Sequence, residues 1–325
     1  MATITPAATF PVTGSFATTP SYSGTFIPTI WSGKLNAKFF AATTFGSVSN
    51  TNWEGEIKNK GDQVIITNPP SISINDYTAG MDLVYEVPDP ETIELVVDQG
   101  KYFGVQVNDV LALQSNHSLM SMFTDDASEQ LKVAIDTNCW AATFNGAAAA
   151  NVGATAGVIS GAYNMGTDAA PVALDKDNIL NNILAMASIL DEQNVPEDGR
   201  WLVLTPAERF LLMQSNIAQA YYTGDSTSPL RNGKVGMIDR FDLYVSNLLP
   251  RALADEDWVG GADAGTAKRH AIVAGHKTAM TFAAQIAKTE PIRNPSDFGD
   301  VVRGLSVFGR KVVKPESMVT LVAAG

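Results

Sequence analysis

Apolar residues recur at three- and four-residue steps over 118–144: Leu119, Met122, Phe123, Ala127, Leu131, Ala134, Ile135 and Cys139. That spacing puts them on one face of a helix of about 27 residues, about 40 Å long. The small-residue stretch 147–161 after it reads as loop or linker. A second helix is expected over 175–190, with apolar Ile179, Ile183, Leu184, Met186, Ala187 and Leu190. A turn over 194–199 leads to a buried strand over 200–204, and Thr205-Pro206 opens a helix reaching about Gln214. Strands are expected over 241–245 and 271–274, and loops over 220–235 and 255–268. Alternation then returns over 285–322, in Val301, Leu305 and Val307 and again in Val312, Met318 and Leu321.

Between 61 and 97 the pattern is extended. Val64, Ile65 and Ile66 form a short strand stopped by Asn68-Pro69-Pro70, and Ile72 and Ile74 alternate with serine and asparagine as in a half-buried strand. A turn-rich stretch, 76–80, divides these from Leu83-Val84-Tyr85 and 92–97. Two arms of about 15 residues reach about 50 Å. A hairpin that long is marginal alone and needs a surface to lie against.

Charge sharpens this picture. The 325 residues carry a net charge of −12 from 34 acidic and 22 basic side chains. Eight of the acids lie between Lys60 and Lys101, where there is no basic residue: Asp62, Asp76, Asp82, Glu86, Asp89, Glu91, Glu94 and Asp98. The tail is mildly basic, through Lys288, Arg293, Arg303, Arg310, Lys311 and Lys314. An acidic chain repels phosphate, which argues against sequence-reading of nucleic acid. The first 33 residues carry no charged side chain and hold Phe10, Phe16, Phe26 and Trp31 among prolines. They read as a floppy leader or as an extended arm that orders on other surface. They lack the basic start and leucine-rich run of a secretory signal, so the protein is expected to stay where it is made. No stretch approaches 18 uninterrupted apolar residues, so no membrane span is expected.

Catalytic signatures are missing. The chain has no G-x-S-x-G, phosphate loop, dinucleotide fingerprint, H-E-x-x-H or C-x-x-C. Its one cysteine, Cys139, sits on the apolar helix face, where it acts as a small hydrophobe. His117 reads as a capping or surface residue. His270 and His276 flank a strand-like run and would lie about 20 Å apart; they read as solvated strand-end residues rather than metal ligands with Glu290. The acidic segment lacks the D-x-[DN]-x-[DN]-G order of a calcium loop. No enzyme activity, metal or cofactor is expected.

The order of segments is the informative feature. GDQVIITNPPSISINDY leads into the extended stretch, IELVVDQGKYFGVQVNDV leaves it, and NVPEDGRWLVLTPAERFLLMQS follows in a second block. With the uncharged arm and the long helix, these resemble the major capsid proteins of tailed double-stranded DNA bacteriophages, an α+β fold of the Hong Kong 97 type. The likeness is closest to short-tailed phage coat proteins assembled with a separate scaffold. The resemblance implies an N-arm and lead-in to the P-domain over 1–60, and an extended hairpin, the E-loop, over 61–97. It further implies a P-domain with its spine helix over 98–155, an A-domain over 156–284, and P-domain return strands over 285–325.

It also implies an icosahedral shell of pentamers and hexamers around the phage genome, held without sequence-specific binding. A scaffolding protein and a portal would be partners, with assembly in the host cytoplasm and residence in the virion. A nanocompartment shell of the same fold is the alternative. Some relatives seal the shell through an E-loop lysine, and no lysine occurs over 61–100 here. Subunit contacts are expected between Asp76, Asp82, Glu86, Asp89, Glu91 and Glu94 of one hairpin and Arg293, Arg303, Arg310, Lys311 and Lys314 of a neighbour. Ile72, Ile74, Leu83 and Tyr85 would supply the apolar part of that docking.

Overall fold

The computed structural model describes residues 41, 43–53, 63–70, 72–83, 85–108, 119–215, 236–252, 258, 269–294 and 298–324. The arm over 1–40, His117, the loop over 220–235 and nearly all of 255–268 lie outside them, as do the side chains of 119–121 and 285–287.

Strands β1 (Gln63–Thr67) and β2 (Thr92–Val96) pair antiparallel, with Ile65 opposite Glu94. Ile66, Leu95 and Val97 pack with Ala283 and Val313 and root this pair in the body. The pairing stops at Thr67 and Thr92. Beyond it the described part of 68–91 is extended but joins no ladder, and Ile72 and Ile74 are exposed rather than half-buried. The prolines at 69 and 70 remove the donors a longer ladder would need.

Strand β3 (Gln99–Asn108) belongs to a three-stranded antiparallel sheet in the order β10, β11, β3, with β10 Met280–Arg293 and β11 Gly299–Val312. The long helix α2 (Leu119–Thr143) meets this sheet. Its described N-terminal part is only half-buried, whereas Asp136, Cys139 and Trp140 near its end are buried. There Trp140 meets Trp201 edge-on at 6.0 Å and Phe45 at 5.3 Å, in a core that also holds Phe308 and Met280. Phe45 comes from the short helix α1 (Phe45–Val48). Its lead-in is held by α2, because Phe45 N–H donates to Asp136 Oδ1 at 2.8 Å and Thr44 N–H to the same atom at 3.2 Å. Asn50 then bonds Met280 and Phe282 of β10 at 2.9 and 3.0 Å, covering that edge.

The second sheet has seven strands. Its order is β4 (Val172–Ala173), β12 (Met318–Ala324), β9 (Arg269–His276), β5 (Arg200–Leu204), β7 (Phe241–Val245), β6 (Met237–Ile238), with β8 (Arg251–Ala252) also on β9. Helices α3 (Ile179–Glu192) and α4 (Pro206–Gln214) contribute Ile183, Met186 and Leu212 to the core over one face, which takes Leu202 and Leu204 from β5. Trp201 and Val203 point into the aromatic core on the other face. Both faces are covered, which is why β5 reads as an unbroken apolar run.

A sequence expectation is corrected here. The last strand does not join the return strands of 285–325: β12 pairs with β9 along Met318↔Gly275 to Ala324↔Arg269, inside the large sheet. Every residue from Met318 to Ala323 is buried, so the strand needs cover on both sides, which the large sheet gives it. The stretch after α2 is the expected loop, but a packed one. Asn151 is 0% exposed; its Nδ2 donates to the carbonyls of Glu316 and Met318 at 2.7 and 3.0 Å, and its Oδ1 accepts from Gln193 at 2.8 Å. One asparagine ties the end of the helix segment to the last strand and to α3.

Candidate assembly surfaces

The tip of the hairpin is closed by short-range bonds. Asn68 N–H donates to the Glu91 carbonyl at 2.8 Å and Met81 N–H to Thr78 at 3.2 Å, with Gly80 at φ +92° in the turn. Ser73 N–H reaches across to Glu86 Oε2 at 3.0 Å. The described residues over 72–92 are exposed. Asp76, Asp82, Glu86, Asp89, Glu91 and Glu94 are all exposed, as are Ile72 and Leu83, while Ile74 is 94% and Tyr85 84% exposed. Apolar side chains at such exposure, on a rooted stalk, have the character of an interaction surface.

The basic residues of the tail do not form one patch. Arg303 donates to Glu290 Oε2 at 2.9 Å, Lys288 contacts the same carboxylate, and Arg293 meets Asp300 at 3.0 Å. The Lys288 hydrogen bond, helped by Arg303, holds the Glu290 carboxyl below its ordinary range. Arg310 falls in step with Phe308 and Val312 of the aromatic core and is half-buried on the opposite side of β11. Lys311 and Lys314 are exposed and form no ion pair among the described residues.

Beside the paired cations, the sheet carries an open groove of about 440 Å³ lined by Tyr102, Phe103, Lys288, Glu290, Arg303, Gly304 and Leu305. Tyr102 stands opposite Leu305 across the ladder and is 82% exposed. Phe103 is opposite Gly304, where a side chain would strike its ring. The glycine gives the aromatic ring room to lie across the strand.

The histidines differ from the sequence expectation. His270 is not solvated: it is buried, and its Nε2 contacts Glu208 Oε1 at the first turn of α4. Burial pushes the Glu208 carboxyl up, but the hydrogen bond and charge of His270, with Thr205, bring it below its ordinary value. His276, at the other end of β9, bonds the Asp198 carbonyl at 2.8 Å. Burial and the charges of Arg200, Lys314 and Lys277 hold it below its ordinary value despite that bond. Glu290 lies in the other sheet with its own cations. Among the described residues no group of three or more His, Cys, Asp or Glu is placed to hold a metal ion. Cys139 is buried, and burial pushes its thiol up to about 12, so it stays protonated. Sequence reasoning missed Glu208, although Thr205-x-x-Glu208 has the spacing of a helix capping box. Asp136 and Asn151 carried no local signal, because the backbone groups that Asp136 holds, at Thr44 and Phe45, lie 92 and 91 residues away and the partners of the Asn151 side chain lie 42 or more away.

Comparison with known proteins gives a consistent answer. A family model described as phage capsid protein matches residues 91–321, well over half of the chain. No curated protein sequence matches. Among solved structures, a chain of Mycobacterium phage Che8 is 26% identical, with a TM-score of 0.72 over 91% of this chain and 96% of that one. The capsid of the cyanophage P-SCSP1u is 16% identical, with a TM-score of 0.67, covering 93% and 94%. A subunit of the mature capsid of bacteriophage PhiM1 is 16% identical, with a TM-score of 0.62 over 90% of each chain. The last two bear on the fold alone, and neither the family nor these folds favours the nanocompartment alternative. The rooted hairpin, the long helix and the two sheets are thus the parts of a Hong Kong 97-type subunit, and the chain belongs to the phage capsid protein family as a structural major capsid protein that self-assembles into the shell of a virion.

Proposed function

We propose that subunits join as pentamers and hexamers of a closed icosahedral shell, each laying its 61–97 hairpin over the 285–314 region of the next. The observation that carries this reading is the hairpin itself: a base rooted in the core and a tip with Ile74 and Tyr85 almost fully exposed. Such a tip gains little by staying free and much by being covered. Six acids around the apolar residues steer the docking, and Lys311 and Lys314 are its first partners, because Arg293 and Arg303 are already engaged within the chain. Exposed pairs are each worth only about 0–1 kcal/mol, so charge sets register while Ile72, Ile74, Leu83 and Tyr85 supply affinity.

In this reading 1–60 is the N-arm and lead-in, 61–97 the E-loop, 98–155 and 280–314 the P-domain, and 156–279 with 318–324 the A-domain. The shell confines double-stranded DNA without reading it, as suits a chain at −12. It assembles in the host cytoplasm with a separate scaffold and a portal, and it has no turnover.

The test is charge reversal at the tip. Asp82→Lys with Asp89→Lys leaves the Ser73–Glu86 brace intact and should give a folded subunit that assembles poorly. Adding Lys311→Glu and Lys314→Glu should partly restore shells. Normal assembly of the first double variant would show that the hairpin does not dock by charge.

A further inference from the structure

Asp136 is the one carboxylate of the long helix that is buried, at 4% exposed. Its described partners are all neutral. Oδ1 accepts from Phe45 N–H at 2.8 Å and Thr44 N–H at 3.2 Å, Oδ2 accepts from Thr44 N–H at 3.3 Å, and Trp140 Nε1 braces the Thr44 hydroxyl at 3.2 Å.

The ionisable groups around it come from its own helix and from two strands. On its own helix they are Cys139, one turn on, and Lys132, one turn back, which is exposed and paired with Glu129. On β11 it is Arg310, whose charge acts on the Cys139 thiol. On β3 it is Lys101, on the helix-facing side opposite Ser306. The described residues of 43–53 include no ionisable side chain. None of these groups bonds to Asp136.

A carboxylate out of water with no cation beside it strains against its ionised form, while two backbone donors favour that form. Burial wins over the bonds from Phe45 and Thr44 and the nearby Trp140 N–H, and pushes the carboxyl up to about 6.

We propose that Asp136 is a proton-controlled clasp between the long helix and the start of the N-terminal segment, closed when protonated and weakened when the carboxyl ionises. The sign follows from linkage. When Thr44 and Phe45 lift away, Asp136 returns to water and to an ordinary acidity near its reference value of 3.8. The closed form therefore binds the proton more tightly than the open one, and each step down in pH through this window favours closure. Acid tightens the attachment and neutral pH loosens it.

The experiment is hydrogen exchange by mass spectrometry on the full-length subunit between pH 5 and 7.5, following peptides over 41–50. Rates are corrected for the intrinsic pH dependence, and β5 serves as an internal reference. The clasp predicts that opening at 44–45 rises about tenfold from pH 5 to 7.5. In Asp136→Asn, which keeps an acceptor but carries no proton-linked charge, opening should be independent of pH. If that variant does not fold, the wild-type profile alone decides. A flat profile in wild type, protection that increases with pH, or the same tenfold rise in Asp136→Asn would each overturn the proposal.

Discussion

Replacing Asn151 should separate a packed junction from a linker. In Asn151→Ala, the carbonyls of Glu316 and Met318 lose their Nδ2 donor and Gln193 loses its acceptor. A net loss of about 1 kcal/mol for a typical bond, with about 1–3 kcal/mol more for a buried group left unpaired, gives a destabilisation of about 2–4 kcal/mol. Asn151→Asp is nearly isosteric but aims an anion at two carbonyl oxygens 2.7 and 3.0 Å from the former nitrogen. It should cost more than the alanine, about 3–5 kcal/mol near pH 8, as an uncompensated buried charge does. Its folded-state acidity must then be weakened relative to the unfolded chain, so stability returns as pH falls and the new carboxyl protonates and donates one bond. Urea titrations of the unassembled subunit at pH 5 and pH 8 read both effects. The reasoning fails if Asn151→Asp is no worse than Asn151→Ala at pH 8, or if its penalty does not change with pH.

Three further outcomes are expected. The stability difference between wild type and Glu208→Gln should be about 2 kcal/mol at neutral pH. It should shrink as pH drops below 4.5, because a carboxyl with a depressed folded-state value loses its contribution on protonation; urea titration checks this. Gly309→Ala should loosen the hairpin base, since its new methyl would lie 2.5 Å from the Val96 carbonyl and 3.1 Å from Val97 Cα; faster hydrogen exchange over 63–67 and 92–96 is the readout. Shells boiled in denaturant should run as one band near 34.6 kDa, because the hairpin has no lysine from which to build a covalent link; a ladder of oligomers would contradict this.

Local signals in the sequence were enough for the helices and for β5. The four-residue spacing of Leu131, Ile135 and Cys139 fixes an inward face wherever the helix docks, although Ala134, grouped with them, is exposed, and Thr205-Pro206 marks a helix start by its own chemistry. Strand partners are different, because alternation says which side is buried and not which strand lies alongside. Met318–Ala324 is therefore grouped by the sequence with the return strands of 285–325, although it pairs with Arg269–His276. Ile72 and Ile74 show the converse failure: they alternate with serine and asparagine as a half-buried strand does, yet both are exposed, because alternation marks an apolar side without saying that anything covers it. Asp136, Asn151 and His270 were missed or misjudged for one shared reason. Each is a polar residue made tolerable in the interior by partners 42 or more residues away, and such partners are set by the finished fold.

The most direct measurement is electron cryomicroscopy of the full-length chain produced together with its scaffold. The account predicts closed icosahedral shells in which the 68–91 tip of every subunit lies on the neighbouring copy, with Lys311 and Lys314 near its acids. Small oligomers of fixed size, or shells whose hairpins fold back onto their own subunit, would contradict it.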